Sequence, residues 1–123
     1  MGVKIMAILL STFGLLMAQQ APERAGNFNI RFEPAAKLQT GVQVPFRITV
    51  TDDLQKPLVD AKVTLQIAMT DSTRAQVFPA SATGPGVYVA KPIFPVPGEW
   101  NLYVEVRRRD RMSSRTIQFS VPE

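Results

Sequence analysis

Residues 98–109 constrain the fold of this chain more than any other part of the sequence. Apolar side chains at Trp100, Leu102, Val104 and Val106 alternate with polar ones along this stretch. A period of two is typical of a β-strand with one buried face. Trp100 is the only tryptophan of the chain, and its side chain is the largest available to anchor a core. The pattern therefore predicts a strand around which the rest of the chain packs.

Short alternating segments of the same kind fill the rest of the chain after Asn27. Turn signals separate them, including the stretches at 52–57 (DDLQKP) and 80–86 (ASATGPG) and a turn at 110–113. Pro45 has no amide donor, so we expect an unpaired or bulged stretch there. The predicted strands cover 28–32, 42–50, 61–69, 75–78, 87–90, 99–109 and 117–121. About seven strands without a helical period predict an all-β, immunoglobulin-like antiparallel β-sandwich.

The beginning of the chain has the features of a signal peptide, which we expect over residues 1–18. Lys4 is followed by an apolar run at 5–17 and by the small residue Ala18. This run is shorter than the roughly 20 residues that span a bilayer. An uncleaved anchor and a buried N-terminal helix remain as alternatives. Residues 19–26 are predicted to be a linker, and 27–123 the folded domain. We therefore expect an exported protein, periplasmic or extracellular, which is membrane-anchored where the segment is not cleaved.

The composition argues against catalysis. The chain contains neither cysteine nor histidine, which removes the commonest general base and the usual ligands of transition metals. No Gly-x-Ser-x-Gly motif and no phosphate-binding glycine loop occur. The carboxylates fall in predicted turns and at strand edges rather than as a pair in one pocket. We expect a protein that is not an enzyme and that uses no cofactor.

The charge balance favours protein partners. The formal net charge is +4, and the basic residues are not interleaved with aromatic ones as they are on nucleic-acid-binding surfaces. We therefore expect no nucleic acid partner. A modest positive charge supports only a mild preference for acidic partners or anionic headgroups. For an exported chain, the partners that we expect are an envelope or membrane protein and, through weak contact, an anionic membrane surface.

Arginines concentrate near the end of the 98–109 strand. Arg107 and Arg109 are expected on its exposed face, whereas Arg108 continues the inward phase beyond Val106 and lies past the core edge. One reading is a docking patch for an acidic protein surface or for lipid headgroups. The other is a solvated hairpin tip whose charges protect the sheet edge from aggregation. The residues that we predict to bind a partner are Tyr103, Arg107, Arg109 and Arg111.

Methionines and aspartates provide the remaining candidate ligands. Met69 and Met112 carry thioethers of the kind that bind Cu(I), but Met69 is in phase with the apolar face of its strand. Asp52, Asp53 and Asp60 carry oxygens suited to Ca²⁺, but their spacing is not that of an EF-hand loop, and aspartate is common in turns. We expect core packing for Met69, turn formation for the aspartates, and no metal site.

Three segments resemble the YtkA-like domain and, more loosely, the FixH family of bacterial envelope proteins. They are VPFRITVTDDLQKPLVDAKV at 44–63, GPGVYVA at 84–90 and PGEWNLYVEVR at 97–107. Together they cover most of the predicted domain. The resemblance implies a small β-sandwich outside the cytoplasmic membrane that works alongside envelope metal handling, copper especially.

This chain departs from the family pattern at two places. Metal-associated members tend to have methionine- or histidine-rich positions after the third strand, where residues 69–77 hold one methionine and no histidine. Gln55 stands where the acidic turn usually has glycine. The sequence therefore predicts a non-catalytic, exported binding or assembly module of the bacterial cell envelope. The alternative is an accessory factor in copper or metal delivery or efflux that acts through protein contacts.

Overall fold

The structure of the protein is a computed structural model that describes residues 24–123. The predicted signal peptide at 1–18 lies outside the described residues, as does most of the predicted linker. In the part of the chain that is described, no helix is long and apolar enough to cross a membrane.

The described residues form nine strands in two sheets. The strands are β1 (Arg24–Ala25), β2 (Asn29–Pro34), β3 (Phe46–Thr51), β4 (Lys62–Met69), β5 (Gln76–Pro79), β6 (Ser81–Gly84), β7 (Val87–Ala90), β8 (Gly98–Arg108) and β9 (Arg111–Val121). Sheet A has the order β1-β9-β8-β4-β5, and sheet B has the order β2-β3-β7-β6. All strand pairs are antiparallel except β1 with β9. The prediction of an all-β, immunoglobulin-like sandwich is confirmed.

The core lies between the two sheets, as the period-two patterns predict. On β8, the side chains of Trp100, Leu102, Val104 and Val106 are all buried, and the intervening ones are not. Strand β8 is the central strand of sheet A, with β9 on one side and β4 on the other. Its apolar face therefore has buried neighbours on both sides, which explains why this stretch has the clearest alternation in the chain.

Aromatic rings fill the middle of the core. The Phe46 ring packs edge to face on Phe94 and on Phe119, with centroids 6.2 Å and 5.6 Å away. Phe119 in turn lies 6.3 Å from Phe32. Edge-to-face pairs of this kind add roughly 0.5–1.5 kcal/mol each to the burial of the rings. Because Phe32 and Phe46 belong to sheet B and Phe119 to sheet A, the cluster joins the two sheets.

Several predicted boundaries were wrong, including that of the last strand, which was predicted at 117–121 and begins at Arg111. The stretch at 80–86, predicted as a turn, contains strand β6, and only residues 85–86 form the turn, where Gly86 has φ 71°. The strand predicted at 42–50 begins only at Phe46, since Pro45 interrupts the pairing as expected, and Val42 is 44% exposed. The turn predicted at 110–113 is the two-residue turn at 109–110, because Arg108 pairs with Arg111 across the hairpin.

Strand β1 comes from the stretch predicted to be a linker. Its two residues pair in parallel with Arg111 and Met112 of β9. Gly26 follows β1 and makes two further hydrogen bonds with β9. Its amide donates to the Met112 carbonyl at 2.9 Å, and its carbonyl accepts from the Ser113 hydroxyl at 2.7 Å. This segment ties the start of the described chain to the tip of the β8–β9 hairpin.

Candidate partner-binding hairpin

The end of the β8–β9 hairpin extends beyond the core. Val106, paired with Ser113, is the last buried residue of β8. The chain beyond it, residues 107–112, contains four arginines. We call this segment the arginine tip. None of these side chains is fully buried, and Arg109, Asp110 and Arg111 are exposed, so charged residues occupy this end of the hairpin.

Arg107 and Tyr103 lie on the outer face of sheet A and are joined by one carboxylate. The Tyr103 hydroxyl donates to Glu105 Oε1 at 3.0 Å, and Arg107 Nε donates to Glu105 Oε2 at 2.5 Å. Alternate residues of a strand share a face, so the three side chains form a row along β8. Partial burial raises the pKa of Tyr103 above its ordinary value; the hydrogen bond with Ser114 opposes this shift, and the Glu105 carboxylate adds to it.

Arg109 occupies the first position of the hairpin turn and has φ 58°. This left-handed conformation is disfavoured for residues with a Cβ, at a cost of about 1–2 kcal/mol, and glycine usually takes such positions in two-residue hairpin turns. An arginine at this position therefore reduces the stability of the turn. In return it places a cation at the most extended point of the hairpin.

Arg108 and Arg111 face the other way. They are directly paired across the hairpin, and each lies two residues from a position that faces the other sheet, Val106 on β8 and Ser113 on β9. The prediction that Arg108 continues the inward face of β8 is therefore confirmed. Both side chains line a hollow of about 340 Å³ at the end of the sandwich, together with Asp52, Asp53 and the Phe28 ring. The acidic turn after β3 therefore lies across the sandwich end from these two arginines.

The four predicted partner-binding residues do not form a single flat patch. Tyr103 and Arg107 share the outer face of sheet A, Arg109 lies in the turn, and Arg111 lies on the side that faces the sandwich end. The sequence did not assign a face to Arg111 because the turn was predicted two residues too late. The arginine tip instead presents cations in three directions around one protruding turn.

Strand pairing adds neighbours to Tyr103 that the sequence alone did not reveal. Thr116 of β9 and Gln66 of β4 are its direct cross-strand partners, and Val77 of β5 pairs with Gln66. Val77 is 57% exposed. The outer face of sheet A is thus largely polar around the Tyr103 ring, and the exposed Val77 side chain lies two strands away, beyond Gln66. These cross-strand neighbours of Tyr103 could be identified only once the strand register was known.

The two methionines are too far apart to hold one metal ion. Met69 pairs with Trp100 at one end of β8, and Met112 pairs with Arg107 at the other. Their partners on β8, Trp100 and Arg107, are seven residues apart along the strand, which corresponds to roughly 23 Å. Met69 packs against the core, as expected, and its Cε lies 2.9 Å from the position that a Cβ on Gly98 would take.

The other polar candidates have structural partners. Asp52 Oδ1 accepts hydrogen bonds from the amides of Leu54 and Lys56 at 2.8 Å and 2.9 Å, which is the turn role expected of it. Tyr88, to which the pattern assigned no face, is buried, and its hydroxyl donates to the Leu58 carbonyl at 2.8 Å. Within residues 24–123, no three acidic side chains come close enough to share a metal ion.

Comparison with known families assigns the chain to a family. The sequence model of the YtkA-like family matches residues 23–105, which is more than half of the chain. The chain belongs to the YtkA-like family. The match begins next to β1 and ends within β8 at Glu105, so the arginine tip and β9 lie outside the matched residues of this YtkA-like protein. No curated protein matches the chain.

Proposed function

We propose that this YtkA-like protein is a non-catalytic, exported binding or assembly module of the bacterial cell envelope. In this proposal it holds an envelope or membrane protein through the arginine tip. The observation that carries the proposal is Arg109, which keeps φ 58° in a turn that also protrudes beyond the core. Residues held in disfavoured backbone conformations concentrate at functional sites.

The chemistry of the tip suits an acidic protein surface. Guanidinium groups bind carboxylates through paired hydrogen bonds with fixed geometry, and they lose less hydration than ammonium groups when they do so. Arg107 is already oriented by Glu105, so part of the entropy cost of ordering its side chain is met before binding. The Tyr103 ring lies in the same row and adds apolar contact area.

The proposed location follows from the beginning of the sequence. An apolar segment preceded by Lys4 and followed by Ala18 favours export, and membership of the YtkA-like family agrees with the resemblance that implies an envelope protein. We infer a periplasmic or extracellular domain that stays attached to the membrane where the segment is not cleaved. The arginine tip would then also make a weak contact with anionic lipid headgroups.

A second candidate function is accessory work in copper or metal delivery or efflux. The resemblance to YtkA-like and FixH proteins favours it. Met69 and Met112 lie on strands that flank β8 and pair with its opposite ends. We therefore propose that this role is performed through contact with a metal transporter or a metallochaperone rather than by holding the metal.

Affinity capture from native envelopes tests the proposal. The tagged full chain is compared with the charge-reversed double variant Arg107→Glu/Arg109→Glu. A matched control, Lys37→Glu/Arg74→Glu, makes the same charge change at exposed positions in loops at the other end of the sandwich. We expect a partner that is retained by the wild type and the control but lost from the tip variant.

The identity of the captured protein separates the two functions. A metal transporter or an oxidase-assembly component would support the accessory role in metal handling, whereas an envelope protein of another class would support the general binding module. Equal capture by the tip variant and the control would contradict a binding role for Arg107 and Arg109.

A further inference from the structure

A second concave surface lies on the outer face of sheet B. It is a hollow of about 450 Å³ in which no carboxylate takes part. Its polar lining consists of Asn29, Arg31, Thr49, Thr51, Gln55 and Arg115. Two guanidinium groups, two hydroxyls and two amides therefore converge on one space, which we call the sheet B hollow.

Strand register explains how the floor of this hollow forms. On β2 and β3, Asn29 pairs with Thr51 and Arg31 pairs with Thr49. Directly paired residues share a face, and their Cβ atoms lie about 4.5–5.5 Å apart. The four side chains therefore form two adjacent rows on the solvent side of sheet B.

Arg115 reaches the hollow from the other sheet. It pairs with Val104 on β9 and so occupies an inward-facing position of sheet A. Its Nη1 donates a hydrogen bond of 2.7 Å to the Ile30 carbonyl of β2. This bond fixes the guanidinium at the rim of sheet B, and no other hydrogen bond or ion pair to a described residue uses its remaining N–H groups.

Arg31 is available for a ligand, in contrast to its neighbour on the same face. Among the described residues, no hydrogen bond or ion pair engages the Arg31 side chain. Arg47, also on the outer face of sheet B, is paired with Glu33 at 2.7 Å and does not line the hollow. The carboxylate of Asp52, in the turn after β3, accepts hydrogen bonds from the Leu54 and Lys56 amides, and Asp52 lines the other hollow together with Arg108.

Gln55 provides an independent observation at the same place. It has φ 63° in the turn between β3 and β4, where glycine would relieve the strain. Its side chain nevertheless lines the sheet B hollow. A residue kept in a disfavoured conformation beside two unneutralised arginines indicates that its amide is used there.

From this arrangement we propose that the sheet B hollow binds a phosphate monoester carried on a hydroxylated molecule, of the sugar phosphate class. Two guanidinium groups offset the charge of about −1.5 to −2 that a phosphate monoester carries at neutral pH. They also supply the paired donors that phosphate oxygens accept. The threonine hydroxyls and the Gln55 amide both donate and accept hydrogen bonds, which suits the hydroxyls of the carrier. Asn29 Nδ2 also donates to the Asp52 carbonyl at 3.5 Å, so its amide offers the carrier its oxygen and its second N–H group.

Titration of the full chain in a neutral detergent with glucose 6-phosphate, followed by calorimetry and by NMR, tests this site. We expect saturable binding, with weaker binding of inorganic phosphate and weaker still of glucose. Arg31→Gln and Arg115→Gln each remove charged donors and should weaken binding about tenfold or more. The matched control Arg47→Gln, on the same face but outside the hollow, should leave the affinity unchanged.

Gln55→Gly separates a binding role from a structural one. This change should raise the melting temperature, because it relieves the left-handed conformation, and it should weaken binding of glucose 6-phosphate. No saturable binding, an equal loss in Arg47→Gln, or equal affinity for inorganic phosphate and glucose 6-phosphate would each overturn the proposal. None of these results depends on the arginine tip, so the two proposals fail separately.

Discussion

Trp100 and Phe94 pack edge to face, with ring centroids 5.4 Å apart and ring planes at 68°. The Trp100 indole also donates a hydrogen bond from Nε1 to the Val96 carbonyl at 3.1 Å. One side chain of β8 therefore holds both the ring and the backbone of the proline-rich segment that precedes it. This contact joins the loop between β7 and β8 to the core.

Replacing Trp100 with alanine should destabilise the domain strongly. Trp100 is 4% exposed, so Trp100→Ala leaves a large cavity and an unpaired Val96 carbonyl. We expect a loss of about 3–5 kcal/mol in the free energy of unfolding, measured by urea denaturation. The control Val77→Ala, at a site that is 57% exposed, should change it by less than about 0.5 kcal/mol. Similar small losses in both variants would contradict the core position of Trp100.

The two tyrosines should respond differently to loss of their hydroxyls. Tyr88 is buried, its hydroxyl donates to the Leu58 carbonyl at 2.8 Å, and it accepts from the Ala61 amide at 3.4 Å. Tyr88→Phe leaves both backbone groups unsatisfied and should cost about 1–3 kcal/mol in the free energy of unfolding. Tyr103→Phe loses hydrogen bonds with the Glu105 and Ser114 side chains at a partly exposed site, where water can replace them, and should cost less than about 1 kcal/mol. Equal losses in the two variants would argue against the role of Tyr88 in fixing this loop.

Tyr103 should ionise late in an alkaline titration. Partial burial and the Glu105 carboxylate hold its pKa above the ordinary value of 10.0, against the opposing hydrogen bond with Ser114. A raised pKa means that the folded state retains the proton longer than the unfolded state, so stability should fall as the pH rises above about 10. Phenolate absorbance, taken as the difference between the wild type and Tyr103→Phe, measures the midpoint. Glu105→Gln should lower it, and a midpoint below 10.0 in the wild type would contradict this account.

Arg109→Gly should stabilise the protein and weaken its binding. Glycine adopts φ 58° without strain, so we expect a gain of about 1 kcal/mol in the free energy of unfolding in urea. The control Arg74→Gly, at a position without positive φ, should give no gain. Stabilisation together with loss of partner capture is expected if Arg109 is retained for binding. A loss of stability would contradict strain at this turn.

Alternation was sufficient to predict the central strands of the sandwich. Residues around Trp100 and Leu65 combine a period of two with burial of one face, so local pattern and tertiary packing agree. Strand β6 was missed because it ends at Gly84 beside Pro85 and Gly86, which also break structure. Glycine and proline here are compatible both with a long turn and with a strand that ends at a short turn. Only the pairing with β7 shows that residues 81–84 form a strand.

The candidate sites depended on register, which the sequence did not supply. A turn predicted two residues late left Arg111 without a face, although the phase of Arg108 was predicted correctly. The approach of Arg115 to Ile30 joins residues of two different sheets, and no local pattern encodes such a contact. Gln55 was the exception, since a side chain at a position where glycine is usual in the family was visible in the sequence and proved to have φ 63°.

Site-specific photo-crosslinking in native envelopes tests the central claim most directly. A photoreactive residue is placed at Asp110, in the turn beside Arg109, and in a matched variant at Asp71, in the loop at the other end of the sandwich. Our account predicts one dominant crosslinked envelope protein from position 110, none from position 71, and loss of the product when Arg107→Glu and Arg109→Glu are added. The same products from both positions, or a product from position 110 that survives the charge reversal, would contradict binding through the arginine tip.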